Sequence, residues 1–344
     1  MNRTRNAITP YTWISRSARS RVRAILPAMR SPRFIQLHRD DSALLRAELA
    51  AGLLGQPARI APKFLYDALG SRLFDAITEL PEYYPTRTER SIFDAHAGAI
   101  AAAAGRGRTL VDLGAGNCEK AARLFETLAP ARYVAVDIAV DYLRNALACL
   151  QRQYPQMDML GLGLDFSARL ALPAEVGDGA RLLFYPGSSI GNFTPHDALD
   201  FVRQARVAAQ GGALLIGVDL VKPRAVLEAA YDDALQVTAS FNLNLLRRLN
   251  ALLGCDARVE DFAHVAFFNE AESRIEMHLQ ARRELALRWP GGERRLAAGE
   301  RIHTENSYKY SVADFDALLH GAGFARTRCW TDERTWFAVF LAEG

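Results

Sequence analysis

The sequence has little of what marks a secreted, metal-bound or membrane protein. Its 344 residues include only four cysteines, which occur without CxxC or Cys/His spacing as Cys118, Cys149, Cys255 and Cys329. Such scattered cysteines disfavour a zinc site and a disulfide framework. The longest apolar runs, such as residues 99–104, are far too short to span a bilayer, and the N-terminus lacks the apolar core of a secretory signal. We therefore expect a cytoplasmic protein with no metal and no membrane partner.

Acidic residues and lysine are missing from the N-terminal stretch. Residues 1–38 contain eight arginines but no aspartate, glutamate or lysine. Because the whole chain has a net charge of +3, the remainder carries −5 and is mildly acidic. A nucleic-acid or membrane-surface arm would suit the arginines, but the stretch lacks a lysine cluster and an amphipathic stripe. We expect residues 1–35 to be a disordered tail, with at most a loosely docked helix over residues 16–29.

Short, fully apolar strands alternate with helices through the middle of the chain. Strands are predicted at residues 109–113, 133–137, 160–166, 181–185 and 213–219, and helices at 87–104, 119–128, 140–153 and 196–210. This alternation is typical of a doubly wound parallel sheet, whose strands are buried on both faces. Ahead of it we expect a helix from Ser42 to Leu54, and a second helix that Ser71 caps and that ends at Glu79.

The pattern changes over residues 222–309. Two helices broken near Thr238 are followed by antiparallel strand candidates at residues 262–269, 273–283, 285–287 and 301–310. A helix at residues 313–319 and strands at 326–330 and 336–341 then restore the alternation. We therefore predict an α/β fold, a doubly wound sheet with an inserted α+β unit. Its predicted domains are a substrate-binding domain of residues 36–88 plus 222–309 and a cofactor-binding domain of residues 89–221 plus 310–344.

The most informative stretch runs from Thr109 to Lys120, where an apolar strand leads into a glycine turn and a helix. Gly114 and Gly116 let the backbone turn tightly and approach a ligand closely, and the helix that follows offers unpaired N–H groups. A dinucleotide fingerprint would have a third glycine at position 119, but this residue is Glu119. An acid there would repel a pyrophosphate, which disfavours NAD and FAD.

Acidic residues end three successive strands of the predicted sheet. Asp112 suits a cationic amino-acid moiety, and Asp137 is placed to accept hydrogen bonds from both ribose hydroxyls. The pair of Asp165 and Phe166 is placed for an adenine amino group and ring face. Each acid alone could simply cap a strand-to-helix turn, but the ordered series fits S-adenosylmethionine better than any dinucleotide. Methyl transfer depends mainly on positioning and on removal of water, so the substrate pocket should show recognition groups rather than a catalytic dyad.

The substrate pocket must lie over the carboxyl ends of the strands. Three stretches can reach this edge: the loop from Gly187 to Asn192, the segment with Tyr83 and Tyr84, and the insertion. Pro85 favours an extended conformation at Tyr84, so the two tyrosines should point to opposite sides, and at most one should face the pocket.

A longer motif resembles that of a known family. Residues 64–89, FLYDALGSRLFDAITELPEYYPTRTE, closely resemble the N-terminal signature of the histidine-specific S-adenosylmethionine methyltransferases. Further similar stretches are VDLGAGNCEK (111–120), GSSIGNF (187–193), YDD (231–233), TASFN (238–242), IEM (275–277) and HTENSYK (303–309). The resemblance covers the chain from about residue 40 to the end. It implies a class I, Rossmann-like methyltransferase with S-adenosylmethionine as its cofactor.

The resemblance also implies which residues surround each ligand. The methyl donor is expected among residues of the glycine turn, the strand ends and the first motif, namely Tyr66, Gly114, Gly116, Lys120, Asp137, Asp165 and Phe166. Tyr83 is expected to face the substrate and, with Asn192, to act at the reacting amine. Asn192 and Tyr231 are expected to hold the amino-acid end of the substrate.

Three further residues are implied for the substrate side chain. Glu305 and Ser307 are expected to hold an imidazole, because a carboxylate and a hydroxyl together can satisfy both ring nitrogens. Met277 is expected to form an adaptable apolar wall beside the ring. Asn306 and Tyr308, which flank the polar pair, could adjust the edge of the pocket.

The implied activity is trimethylation of the α-amino group of L-histidine to hercynine, a step of ergothioneine biosynthesis, by a monomer. Two alternatives stay open. A relative of the same family could act on another amino acid or amine, although Glu305 and Met277 argue against an indole-sized, non-basic side chain. A nucleic-acid-binding protein that uses the arginine tail is disfavoured, because the body is acidic and its aromatic residues do not interleave with basic ones. We therefore expect no nucleic-acid partner.

Overall fold

The computed structural model describes residues 30–37, 42–167 and 169–344. Its strands are β1 (Arg33–Gln36), β2 (Thr109–Leu113), β3 (Arg132–Asp137), β4 (Met159–Gly163), β5 (Arg181–Tyr185), β6 (Ala213–Asp219), β7 (Phe262–Asn269), β8 (Arg274–Ala281), β9 (Leu285–Trp289), β10 (Gly292–Leu296), β11 (Arg301–Tyr308), β12 (Arg326–Thr331) and β13 (Phe337–Glu343). Its α-helices are α1 (Ser42–Leu54), α2 (Ala68–Thr78), α3 (Tyr84–Ala104), α4 (Glu119–Ala122), α5 (Phe125–Leu128), α6 (Val140–Gln153), α7 (Pro195–Ala208), α8 (Arg224–Ala229), α9 (Val237–Leu253) and α10 (Val312–Gly321). The helix expected over residues 16–29 lies outside the described residues.

An eight-stranded sheet with the order β1-β4-β3-β2-β5-β6-β13-β12 forms the centre of the fold. The strands from β1 to β6 run parallel, and β13 and β12 continue the sheet in antiparallel pairs. Strands β5 and β6 are buried along their whole length, because α3 and α6 pack on one face of the sheet and α7 and α10 on the other. The predicted doubly wound α/β sheet is confirmed.

An α+β unit is inserted between β6 and α10. Its three-stranded antiparallel sheet has the order β11-β8-β7, and β9 pairs with β10 as a separate hairpin. The N-terminal helices α1 and α2 pack against α9 of the insertion, and the two regions share an apolar core that includes Leu53, Leu65, Phe241 and Leu246. Strand β11 also contacts the loop after β5. The inserted unit therefore lies over the carboxyl edge of the main sheet.

The N-terminal region departs from the sequence prediction in two places. Residues 33–35, predicted as the end of a disordered tail, belong to β1, which pairs in parallel with β4 at the sheet edge. The guanidinium carbon of Arg144 lies 3.8 Å from the centroid of the Phe34 ring and helps to hold this strand. Ser71 does not cap α2, because the Asp67 carboxylate accepts a hydrogen bond from Gly70 N at 2.7 Å and begins the helix earlier.

Other differences concern helix boundaries and one strand. Tyr84 is not extended but begins α3, since Pro85 is tolerated in the first turn of a helix. The helix predicted over residues 119–128 is divided into α4 and α5, where Leu124 N bonds to Ala121 O at 2.9 Å in a tightened turn. Strand β10 was not predicted. In the described ranges, no helix combines the length and the apolar character needed to cross a membrane.

Candidate active site

The glycine turn between β2 and α4 has a backbone geometry that favours glycine. Gly114 and Gly116 have φ values of 71° and 52°. Asp137, at the end of β3, holds the turn in place, because its Oδ2 accepts from Gly116 N at 2.9 Å and its Oδ1 from Ala139 N at 2.8 Å. Burial raises the pKa of Asp137, and these backbone donors oppose the rise. Each carboxylate oxygen can still accept a further hydrogen bond from a ligand.

A cavity of about 400 Å³ lies beside this turn. Its wall contains six of the seven predicted cofactor residues, namely Tyr66, Gly114, Gly116, Asp137, Asp165 and Phe166. A second cavity of about 500 Å³ shares Gly114 and Gly116 with the first and contains the seventh residue, Lys120. The structure therefore brings the predicted cofactor residues together in two cavities that adjoin at the glycine turn.

Asp165 stands in the wall of the first cavity beside a lysine that the sequence analysis missed. Lys63 Nζ lies 3.5 Å from Asp165 Oδ2 and 2.9 Å from Glu48 Oε2. Asp165 Oδ1 accepts a hydrogen bond from Ser167 N at 3.0 Å. Lys63 therefore fixes the orientation of the Asp165 carboxylate, and it directly precedes the long family motif.

Two buried acids stand in the wall of the second cavity. Asp112 Oδ2 accepts from Tyr133 OH at 2.7 Å, whereas Asp112 Oδ1 has no hydrogen-bond partner among the described residues. Burial raises the pKa of Asp112 to about 7. Glu89 accepts from Lys120 Nζ and from Gly187 N, both at 2.7 Å, and so connects α3 to α4 and to the loop after β5. The sequence analysis did not predict Glu89 as a site residue. An acid between apolar positions of a helix face could have indicated it.

A chamber of about 40 Å³ adjoins the first cavity, and we call it the substrate chamber. It is lined by all the residues predicted to bind substrate, which are Tyr83, Asn192, Tyr231, Met277, Glu305 and Ser307. Tyr66, Phe74, Ser189 and Asn192 line both this chamber and the 400 Å³ cavity. The predicted cofactor residues and substrate residues therefore meet across a shared wall.

The loop after β5 carries Asn192 to the substrate chamber. This loop packs tightly on β11 at Gly191, where a Cβ atom would lie only 2.9 Å from Tyr308 O. Glycine therefore permits an approach that a larger residue would prevent. Asn192 Nδ2 donates a hydrogen bond to Glu305 Oε1 at 3.3 Å. In this structure, residues predicted to hold opposite ends of the substrate are thus in contact.

A β-bulge directs Glu305 and Ser307 into the chamber. The register between β8 and β11 shifts between His303 and Glu305, and Thr304 Oγ1 donates to Met277 O at 3.0 Å. After the shift Glu305 pairs with Met277, and strand alternation brings Glu305 and Ser307 to the same face. The sequence predicted the strand but not its bulge.

The side chains of Asn306 and Tyr308 bond away from the chamber. Asn306 Oδ1 lies 2.8 Å from His303 Nε2, and Arg274 Nη1 donates to Tyr308 OH at 2.5 Å. Neither Asn306 nor Tyr308 lines the substrate chamber. The expectation that they adjust the pocket edge is therefore wrong, because strand alternation turns them to the other face.

Burial changes the protonation of the chamber residues. It raises the pKa of Glu305 to about 7, while Lys309 and Asn192 oppose the rise. Burial also raises the pKa of Tyr83 well above its usual value, and Tyr231 and Glu305 raise it further. Tyr83 is therefore protonated at neutral pH and can act as a hydrogen-bonding hydroxyl but not as a phenolate base.

Aromatic rings form much of the chamber wall. Tyr83 meets Phe74 and Tyr231 edge to face, with ring centroids 6.2 Å apart in both pairs. Tyr66 meets Phe74 and Phe241 in the same manner, at 5.7 Å and 5.5 Å. These contacts fix the rings against one another.

A buried ionic network that the sequence analysis missed lies behind the chamber. Tyr84 OH donates to Asp219 Oδ2 at 2.7 Å, and Lys222 and Lys309 pair with the same carboxylate at 2.6 Å and 2.7 Å. Of the two adjacent tyrosines only Tyr83 lines the chamber, as expected. Tyr84 is buried within the network. The partners are far apart in sequence, so no local pattern signalled the network.

Comparison with known proteins agrees with this arrangement. Residues 45–344 match the family model described as "Histidine-specific methyltransferase, SAM-dependent". The histidine N-alpha-methyltransferase of Mycolicibacterium smegmatis is 41% identical over 311 residues, which is 88% of this chain and 96% of that protein. The enzyme of the same name from Mycobacterium tuberculosis is 40% identical over 306 residues, 87% of this chain and 94% of that protein.

A more distant relative is the ergothioneine biosynthesis protein 1 of Neurospora crassa. It is 30% identical over 285 residues, which cover 80% of this chain and 32% of that longer protein. The family match and the two bacterial relatives confirm the predictions of a methyltransferase and of S-adenosylmethionine as its cofactor. The chain belongs to the histidine-specific, S-adenosylmethionine-dependent methyltransferase family.

Proposed function

We propose that the protein transfers methyl groups to the α-amino group of L-histidine, three times in succession, and so forms hercynine. The names of the two bacterial relatives support histidine as the substrate, and the name of the Neurospora relative supports ergothioneine biosynthesis as the pathway. We also propose that residues 36–88 with 222–309 form the substrate-binding domain and residues 89–221 with 310–344 the cofactor-binding domain, with Tyr66 and Asn192 each lining both the substrate chamber and the 400 Å³ cavity.

The observation that carries the proposal is the shared wall between the substrate chamber and the 400 Å³ cavity. Asn192 lines both spaces, whereas Glu305 and Ser307 line only the chamber. Asn192 would hold the amino-acid end of histidine near the shared wall, with the Tyr231 ring beside it, and Glu305 and Ser307 would pair with the imidazole nitrogens. A site built in this way rejects side chains without such nitrogens, because its own buried polar groups would be left unpaired.

The residues around the two cavities fit S-adenosylmethionine. The buried Asp112 Oδ1, which has no partner among the described residues, suits the ammonium group of its methionine part. Asp137 would accept from the ribose hydroxyls, and Asp165 and Phe166 would hold the adenine. Lys120 would provide a cation in the second cavity. When bound, the cofactor supplies an electrophilic methyl group on a sulfonium.

The chain positions the amine rather than providing a strong base. The attacking amine must be neutral, and Tyr83 is a protonated hydroxyl that can accept a hydrogen bond from an amine N–H. The amide oxygen of Asn192 can accept a second N–H. Two such contacts would turn the remaining lone pair of the nitrogen toward the shared wall. Orientation of this kind is the main contribution that methyl transfer needs.

The aromatic wall suits repeated methylation. The product of three transfers is a quaternary ammonium, which has no N–H left to donate. The rings of Tyr66, Phe74 and Tyr83 line the chamber and can stabilise such a cation by cation–π attraction. As each transfer removes an N–H donor, the aromatic wall can therefore replace the hydrogen bonds that hold the amine at the start of the reaction.

Histidine must widen the chamber when it binds. A space of about 40 Å³ has room for about one or two water molecules. The hydrogen bond from Asn192 to Glu305 closes this space between the two ends of the expected ligand. We therefore expect substrate to separate these side chains and to replace the hydrogen bond with contacts of its own.

Calorimetric titration with amino acids tests the substrate directly. Histidine, tryptophan and tyrosine are each titrated into the protein with S-adenosylhomocysteine present. We expect binding of histidine and at least about tenfold weaker binding of the other two, since an indole has one N–H donor and no ring acceptor, and the phenol ring of tyrosine is larger than an imidazole. Binding of tryptophan or tyrosine without binding of histidine contradicts the substrate assignment but leaves the methyltransferase family intact.

A further inference from the structure

Lys309 is a buried lysine directly behind the substrate chamber. It follows β11, and its side chain is 0% exposed. Its backbone is held by Ser273, because Lys309 N donates to Ser273 O and Ser273 Oγ donates to Lys309 O, both at 2.8 Å. A buried ammonium is costly unless it is paired and hydrogen-bonded, so its partners indicate its role.

Asp219 anchors the ammonium from the side away from the chamber. Lys309 Nζ lies 2.7 Å from Asp219 Oδ2, and Lys222 Nζ lies 2.6 Å from Asp219 Oδ1. Burial by itself would raise the pKa of Asp219, but Lys309 and Lys222 lower it below its usual value. The carboxylate is therefore ionised, and it fixes Lys309 Nζ in one position.

On the chamber side, Lys309 bonds to two of the proposed substrate residues. Lys309 Nζ donates to Ser307 Oγ at 2.8 Å and to Tyr231 OH at 3.2 Å. Tyr231 OH in turn donates to Ser307 Oγ at 2.7 Å. An ammonium has no lone pair to accept with, and a serine hydroxyl has two acceptor sites and one hydrogen. Both acceptor sites of Ser307 are thus occupied, and its hydrogen is left for the chamber.

We propose that Lys309 is a positioning residue that fixes Ser307 as a hydrogen-bond donor toward the substrate ring. The proposal rests on the proposed function in taking Ser307 as a contact of the histidine side chain. A ring nitrogen that faces Ser307 must then be an unprotonated acceptor, and the N–H of the other nitrogen is directed to Glu305. Lys309 therefore selects one tautomer of the neutral imidazole and disfavours imidazolium, which has a donor at both nitrogens.

A double-mutant cycle separates this role from a structural one. Histidine affinity is measured calorimetrically, with S-adenosylhomocysteine present, for the wild type, Lys309→Met, Ser307→Ala and the double variant. We expect Lys309→Met alone to weaken histidine binding about tenfold. The dissociation constant of histidine for the double variant should lie within about threefold of that for Ser307→Ala. An equal loss from Lys309→Met with and without Ser307 overturns the proposal, because Lys309 would then not act through Ser307.

Lys222 provides the matched control. It is a buried lysine on the same Asp219 carboxylate and donates to Tyr84 OH at 2.8 Å, but it has no hydrogen bond to Tyr231 or Ser307 in the structure. We expect Lys222→Met to change histidine affinity by less than about threefold, and both lysine variants to bind S-adenosylhomocysteine like the wild type within about twofold. Equal weakening of histidine by both lysine variants, or wild-type affinity in Lys309→Met, contradicts the proposal.

A measurement on the wild type does not depend on folding of a variant. Histidine with nitrogen-15 in its ring is bound to the protein with S-adenosylhomocysteine, and the two ring-nitrogen shifts are recorded by NMR. We expect one protonated and one unprotonated nitrogen; two protonated nitrogens overturn the proposal. Failure of the wild type to bind histidine contradicts the proposed function and this inference together, whereas bound imidazolium contradicts only the inference.

Discussion

Replacement of Glu305 by glutamine removes the charge from the proposed imidazole site and leaves the shape of the side chain almost unchanged. Glu305 is 7% exposed and lines the substrate chamber but not the 400 Å³ cavity. Burial raises the pKa of Glu305 to about 7, so the carboxyl group is mostly ionised at pH 8. The exchange at that pH converts a charge-assisted hydrogen bond to the ring N–H into a neutral one.

The loss follows from the difference between the two kinds of hydrogen bond. A charged partner contributes roughly 1–2 kcal/mol more than a neutral one, which corresponds to roughly 5- to 30-fold in the dissociation constant of histidine. We expect the affinity for S-adenosylhomocysteine to stay within about twofold, because Glu305 does not line the cofactor cavity. Glu305→Ala should cost more, since it also leaves a space in the chamber.

The assay is calorimetric titration at pH 8 of each ligand into each variant, with S-adenosylhomocysteine present for histidine. Glu300→Gln is the control, because Glu300 is partly exposed, pairs with Arg294 at 2.5 Å and directly precedes β11. We expect this control to bind both ligands like the wild type. Equal losses of histidine and cofactor affinity in Glu305→Gln would refute the imidazole role.

Three further predictions follow from the same geometry. Asp137→Asn should weaken the binding of S-adenosylhomocysteine about tenfold by calorimetry, because it disturbs the acceptor for Gly116 N and the ribose hydroxyls. An unchanged affinity would contradict the assignment of Asp137 to the cofactor. Tyr83→Phe should lower kcat at least about tenfold without moving the pH profile of kcat, since Tyr83 is protonated throughout; loss of a titrating step would show that it acts as a base. The folded state holds a proton on Glu305 up to a pKa of about 7, above the ordinary value of 4.5, so stability should fall as pH rises through this window. The free energy of unfolding of Glu305→Gln minus that of the wild type should therefore rise by roughly 2–3 kcal/mol from pH 5 to pH 8. Denaturant titrations that give the same difference at both pH values would contradict the raised pKa.

The main sheet could be predicted from the sequence because parallel strands covered on both faces must be apolar along their whole length. Strands β5 and β6 show this pattern and occur where predicted. Strand β1 could not be predicted in the same way, because Arg33–Gln36 is only partly buried and is stabilised by pairing with β4, which is distant in sequence. Strand β8 could also be predicted from its alternating apolar residues, since Ile275, Met277 and Leu279 face a core.

The candidate site was predicted unevenly. The cofactor residues follow a local rule, since the glycine turn and Asp137 stand at the ends of successive parallel strands. The roles of Glu305 and Ser307 came from the family resemblance, because no sequence pattern reveals the bulge that turns them into the chamber. The pairing of Lys309 with Asp219 depends on tertiary contact between the residue that follows β11 and the end of β6. A buried lysine of this kind has no periodic signal to distinguish it from an exposed one.

The most direct test of the account is mass spectrometry of the reaction itself. The protein is incubated with L-histidine and S-adenosylmethionine, and the amino acid is followed over time. We predict successive gains of one, two and three methyl groups, all on the α-nitrogen by fragmentation. Methylation on an imidazole nitrogen, or no methylation of histidine while another amino acid gains methyl groups, would contradict the proposed function.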